Sequence, residues 1–264
     1  MRHSLAVILL LTLTACSLLD PLPSGEPTAL LSAEQLYDQA KTELDDGNYS
    51  TAVTLYEKLQ SRYPYGRYAQ QALMEAAYAN YRQGESEAAI SAADRFIKQY
   101  PNHPHIDYAY YVKGLANFGG EISLLKSLGG QDPTERDPKA AQAAFAAFKD
   151  LVTRFPNSKY APDSRLRMQY LSNALAQYEL HVARYYLRRG AHIAAANRAQ
   201  GVLSQYPNSP STHDALEIMV QCYDAMGMTD LRDDAKRVLA KNTAGGKVPS
   251  DKPLMEKTWW QFWK

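Results

Sequence analysis

The chain has 264 residues, 45% of them hydrophobic, with 29 Lys and Arg against 28 Asp and Glu, a formal charge of +1. That length and apolar content can bury a substantial core, which excludes a disordered tail. The balanced charge excludes nucleic acid and acidic surfaces as partners, because both favour a clearly basic domain.

Residues 1–15 place Arg2 before an apolar run from Leu5 to Leu13, about half the ~20 residues that a membrane span needs, so they read as an export signal. Leu13-Thr14-Ala15-Cys16 resembles the lipobox of bacterial lipoproteins. The resemblance implies cleavage before Cys16, a covalent lipid on that cysteine and, with Ser17 following it, retention at the outer membrane. Loss of Arg2 with the leader takes the formal charge to zero. Cys222 is then the one thiol left, which excludes a disulfide framework. It stands in the helical pattern LEIMVQCYDAM as a small core residue. Residues 16–31 hold three prolines and a glycine without apolar periodicity and read as a tether.

From residue 32 the chain repeats itself. Gly47, Ala52, Tyr63 and Pro64 recur without gaps at offsets of 37 (Gly84, Ala89, Tyr100, Pro101) and 143 (Gly190, Ala195, Tyr206, Pro207). A partial copy closes at Phe155-Pro156 and a last one opens at Gly227. Each copy is a pair of amphipathic helices joined at the glycine and ended by the proline, a period near the ~34 residues of the tetratricopeptide pattern. Small residues at 40, 77, 114 and 183 and alanines at 52, 89, 144 and 195 let the paired helices approach, with Tyr56 and Phe148 adding bulk on the same face. The predicted fold is an all-α solenoid of about five such repeats. Its ten helices pair as 32–45 with 48–62, 67–83 with 85–99, 105–118 with 138–154, 160–189 with 192–205, and 211–226 with 229–241. Ser32 with Gln35 and Ser211 with Asp214 predict capping boxes, and Asp137-Pro138 an N-cap followed by proline at the first helical position.

Three places depart from the repeat. Residues 119–137 form a predicted inserted loop, dividing an N-terminal half (32–118) from a C-terminal half (138–242). The fourth repeat opens with a helical pattern of about thirty residues, a packing spine. Residues 243–264 are a linker and a tail holding all three tryptophans of the chain, Trp259, Trp260 and Trp263, with Phe262. That composition suits docking on the solenoid or a partner, or a lipid interface.

No catalytic motif is present: no Gly-rich phosphate loop, no HExxH, no CxxC and no G-x-S-x-G. His103, His105 and Asp107 alternate before a helix, but three close ligands without a fourth read as a surface turn, not a metal site. No enzyme activity, metal or cofactor is expected beyond the lipid.

The concave wall of such a solenoid is lined by the first helix of each pair and commonly holds peptides. In repeat register, Tyr78, Tyr81 and Arg82 face inward from the second repeat, and Tyr108, Tyr111 and Phe118 from the third. Together they predict a groove for a segment carrying an aromatic side chain, with Arg82 available to a chain-terminal carboxylate. Arg184, Arg188, Arg189 and Arg198 predict a polar contact with a folded partner in the fourth repeat.

The lipobox, the five repeats closed by Tyr-Pro or Phe-Pro, Arg136-Asp137-Pro138 after the insertion, and Arg188-Arg189-Gly190-Ala191 together resemble the BamD family of lipoproteins of the outer-membrane β-barrel assembly machinery. The resemblance spans residues 13 to about 242. It implies a non-enzymatic scaffold on the periplasmic face of the outer membrane. Its N-terminal repeats would receive the C-terminal signal of unfolded barrel proteins, and its C-terminal repeats would hold a BamA-like subunit and accessory lipoproteins. Arg198 falls within that partner-holding half. The same fold also suits a lipoprotein adaptor that coordinates cell-wall enzymes.

Overall fold

The computed structural model describes residues 31–127 and 138–244. The leader, Cys16, the tether, Arg136 and Asp137, and the tryptophan tail lie outside the described residues. Those described form ten helices and no strand: α1 (Ala33–Asp45), α2 (Tyr49–Arg62), α3 (Arg67–Gln83), α4 (Ser86–Gln99), α5 (Ile106–Ser127), α6 (Lys139–Arg154), α7 (Ala161–Arg188), α8 (His192–Gln205), α9 (Thr212–Ala225) and α10 (Thr229–Ala244).

The repeated residues fix the helix ends. Gly47, Gly84, Gly190 and Gly227 adopt φ of +81°, +89°, +71° and +71°, the left-handed conformation that terminates a helix and that a side chain disfavours. The amide after each glycine reaches back to a helix carbonyl: Asn48 to Glu43, Glu85 to Asn80, Ala191 to Tyr186 and Met228 to Tyr223, at 2.8–3.0 Å. At the other end, the residues before proline share one extended geometry, with φ from −127° to −129° at Tyr63, Tyr100, Phe155 and Tyr206. Proline disfavours the helical region for the residue that precedes it, and these four helices stop alike.

A third regularity follows each closure. Three residues after the aromatic, His103, Ser158 and Ser209 each accept, through the side chain, the amide two positions on (His105, Tyr160, Ser211) at 3.1–3.3 Å. These side chains cap the approach to α5, α7 and α9. The capping box at Ser32 forms as expected, with Gln35 N donating to Ser32 Oγ at 3.2 Å and Ser32 N to Gln35 Oε1 at 3.0 Å. The second expected box does not. Ser211 is already helical (φ −63°, ψ −11°) and its hydroxyl caps nothing, because Ser209 has taken that role. Pro138 likewise sits at the cap position of α6, one residue before the place expected for it.

The chain forms two compact units, with the boundary between Ala72 and Leu73 inside α3. In the first unit, Leu36, Ala40 and Leu44 of α1 and Ala52, Leu55, Tyr56 and Leu59 of α2 are buried, and Tyr37 lies 6.0 Å from the Tyr56 ring and 5.5 Å from Tyr68. In the second unit each helix from α4 packs against the next in the chain. Ala89, Ala144 and Ala195 are wholly buried where helices approach, and Phe148 fills the position that Tyr56 holds in the first unit. Full burial of such a side chain contributes about 1.5–3 kcal/mol. Cys222 is buried among Ala195, Ala199 and Met219, and burial pushes its thiol pKa up, as suits a core residue. Helix α5 differs from expectation. It continues past Phe118 through Gly119 and Gly120 to Ser127, so the first part of the supposed loop is helix.

Candidate functional site

The strongest concentration of aromatic and charged side chains in the second unit lies where α3, α5 and the first turns of α7 meet. Tyr78 and Arg82 stand one turn apart on α3, and Arg82 Nη1 donates to Tyr78 Oη at 2.6 Å with its guanidinium 5.6 Å from the ring centre. The Tyr78 ring is 6.5 Å from Tyr81 and 6.4 Å from Tyr108 of α5. Tyr108 is 5.3 Å from Tyr160, and Tyr160 stacks on Tyr111 at 4.6 Å with ring planes 18° apart. The rings thus run continuously from α3 across α5 to the start of α7.

Beneath them lies an ion pair. Arg167 Nε donates to Asp163 Oδ2 at 2.6 Å, and Tyr111 Oη donates to the same oxygen at 2.8 Å. The Arg167 guanidinium also sits 5.0 Å over the Phe118 ring. Burial raises the pKa of the Tyr108 hydroxyl and of the Tyr81 hydroxyl. Burial and the Asp163 carboxylate do the same for Tyr111. All three stay protonated at physiological pH, so they offer O–H donors, not negative charge. Arg82 and Arg167 stand with two carboxylates, Asp163 and Glu75, the second of which also acts on Tyr108.

Of the six residues expected to line the groove, the structure joins Tyr78, Tyr81, Arg82 and Tyr108 at its surface. The other two are packing residues. Phe118 is 2% exposed, edge-on to Phe148 and Tyr170, and Tyr111 is 8% exposed beneath Tyr160. They share a helix with Tyr108, but α7 covers them. Tyr160, Asp163 and Arg167 belong to the wall and were not marked by the repeat. The signal available was the run from Tyr160 to Arg167 opening the unusually long α7, whose first turns carry three side chains of kinds found at binding surfaces.

On the fourth and fifth repeats, Arg184 pairs with Asp214 of α9, and Arg198 Nη1 with Glu179 Oε2 at 3.0 Å. Arg188 is exposed, and Arg189 lies 5.2 Å over the Tyr185 ring. Tyr185 and Ile193, at 44% and 66% exposed, stand on either side of the same turn. Exposed ion pairs contribute little to stability, at most about 1 kcal/mol each. These arginines therefore present donors at modest cost to the fold.

The turn bearing His103, His105 and Asp107 is structural. Asp107 Oδ2 accepts from Ser158 Oγ at 2.6 Å, and His103 is edge-on to Phe96 at 5.1 Å. His213, Asp214 and Glu217 approach one another within 4.8 Å, and the Arg184 guanidinium pairs with the Asp214 carboxylate. No helix among the described residues is long and apolar enough to cross a membrane.

The model of the YfiO family, described as an outer membrane lipoprotein, matches residues 31–238. The chain belongs to that family. It is 42% identical over 98% of both chains to the outer membrane protein assembly factor BamD of Neisseria meningitidis serogroup A. To the BamD of Xylella fastidiosa Temecula1 it is 42% identical over 80% of this chain and 72% of that protein. To that of Vibrio cholerae O1 it is 38% identical over 79% and 86%. The expected BamD resemblance therefore holds over most of the chain, and these relatives are named for an assembly role, not an enzymatic one.

Proposed function

We propose that the protein is a non-enzymatic scaffold for outer-membrane β-barrel assembly. It is held on the periplasmic face of the outer membrane by lipid on Cys16. It receives unfolded barrel proteins on the wall formed by Tyr78, Tyr81, Arg82, Tyr108 and Tyr160, and it docks on a BamA-like subunit through Arg184, Arg188 and Arg198. The single observation that supports substrate capture is the continuous aromatic surface edged by arginine. An aromatic side chain at the end of an extended segment packs against Tyr78 and Tyr108, and the terminal carboxylate meets the guanidinium of Arg82, whose planar fork suits it. Nothing in this requires bond chemistry; the affinity comes from ring burial and a charge-assisted hydrogen bond.

Affinity capture of the full-length chain from detergent-solubilised membranes tests the assignment. A membrane-embedded β-barrel subunit is expected among the retained proteins, and Arg184→Glu with Arg198→Glu is expected to reduce its recovery. Recovery of peptidoglycan enzymes in its place would overturn the proposal.

A further inference from the structure

Helix α7 is longer than its repeat needs. The first helix of the first repeat opens at Ala33, and the offset of 143 places the same start at Ala176, so residues 161–175 are an addition. Ala161, Leu171 and Leu175 of that addition pack with Ala141, Ala144, Phe148 and Leu151 of α6. The second helix of the third repeat is thus engaged by the added segment, and the repeat's own stretch, 176–188, keeps an uncovered face.

Comparison among the repeats identifies that face. Positions 178, 182 and 185 correspond to Ala72, Ala76 and Ala79 in the second repeat and to Ala215, Met219 and Cys222 in the fifth, all of them buried. In the third repeat they are Ala109 and Ala116, also buried, with Lys113 between them bonded to Asp94 of α4, the second helix of the repeat before. Cys222 likewise lies against α8, the second helix of the fourth repeat. The first repeat has Gln35, Gln39 and Thr42 there, polar and exposed. Only the fourth places large apolar side chains at these positions and leaves them open: Tyr178 and Val182 are half-buried, Tyr185 is exposed, and none of the three packs in either core to which α7 contributes. They form one stripe about 10 Å long on the helix. At its C-terminal end Arg188 and Arg189 meet no carboxylate among the described residues, and Arg189 lies over the Tyr185 ring.

We propose that the Tyr178–Val182–Tyr185 stripe docks an α-helix of another protein, one that lays aliphatic side chains between the tyrosines and sets carboxylates against Arg188 and Arg189. A helix is the element that covers these positions in the third and fifth repeats. Tyrosine and arginine are the side chains enriched where proteins meet, and the unpaired guanidinium groups complement an acidic helix flank.

A photo-crosslinking amino acid at position 182 of the full-length chain, activated in membranes, tests the docking. A crosslink to one segment of another protein is expected. That segment, made as a synthetic peptide, is expected to bind the purified full-length chain and to gain helical circular dichroism on doing so. Tyr178→Ala with Tyr185→Ala, and separately Arg188→Glu with Arg189→Glu, should each weaken the binding about tenfold or more, with the helical content of the chain unchanged. Crosslinks that are absent, or confined to the same chain, a second copy of it or lipid, would overturn the proposal. So would a peptide that binds without becoming helical, or whose affinity is indifferent to both pairs of substitutions. The result is separable from capture through Arg184 and Arg198, because a barrel subunit still retained while position 182 meets no helix refutes this docking alone.

Discussion

Gly114→Ala tests the packing of the second unit most sharply. Gly114 occupies the small-residue position that is alanine at 40, 77 and 183. Alanine in a helix interior is ordinarily better than glycine by about 1 kcal/mol, so propensity alone favours the change. The structure reverses the sign. A Cβ at 114 would stand 2.4, 2.6 and 2.8 Å from Cε1, Cδ1 and Cζ of Phe148. The Phe148 ring is wholly buried, with Tyr111 6.2 Å away and Phe118 6.4 Å away, so it has no open side to move toward. Overpacking of this kind costs about 1–3 kcal/mol. After the propensity gain, the net loss is up to about 2 kcal/mol, with a fall of some 2–4 °C in Tm for each kcal/mol in a domain of this size. Thermal and urea unfolding followed by circular dichroism measure it, and Gly114→Ala with Phe148→Leu should recover most of the loss. A stability equal to or above that of the parent chain would refute the reasoning.

Further outcomes follow from the helix ends. Gly190→Ala, at φ +71°, is expected to cost about 1 kcal/mol, whereas Gly201→Ala within α8, where the nearest side-chain atom is 3.9 Å away, should gain a similar amount; paired urea titrations separate the signs. Ser32→Ala removes the capping box of α1 and is expected to cost about 1 kcal/mol, read by the same titration. His103 has its pKa lowered by burial and by His105, so its neutral form is the one the fold favours. Its contribution is therefore complete above the unfolded value of about 6.5 and declines as the pH falls through that value toward the lower folded one. Stability measured from pH 7.5 to pH 5 should fall less steeply in His103→Gln than in the parent chain.

The helix pairs were legible because their signals are local. Glycine at a left-handed turn and an aromatic residue before proline each constrain one or two residues, and all four aromatic-proline closures adopt the geometry that constraint dictates. Gly119 and Gly120 misled for the complementary reason. A glycine pair ends a helix only if the backbone turns there; Gly119 keeps a negative φ and α5 runs on. The same limit explains Ser211, whose capping pattern is sound but whose place is taken by Ser209 two residues earlier. The aromatic wall was half legible. Register placed Tyr78, Tyr81, Arg82 and Tyr108 on one side, but only tertiary packing brings Tyr160 and Asp163 over Tyr111 and withdraws Phe118 into the core. Exposure within an aromatic cluster depends on which helix arrives last, and spacing along one helix does not encode that.

The central claim is that the α3–α5–α7 wall receives the aromatic end of an unfolded barrel protein. A photo-crosslinking amino acid at position 78, in the full-length chain, tests it directly against a peptide with a C-terminal aromatic residue and the same peptide lacking it. A crosslink to the first is expected, lost on Tyr108→Ala with Arg82→Ala, and only a weak one to the second. Equal crosslinking of both peptides, or a crosslink that survives the double substitution in a folded protein, would contradict it.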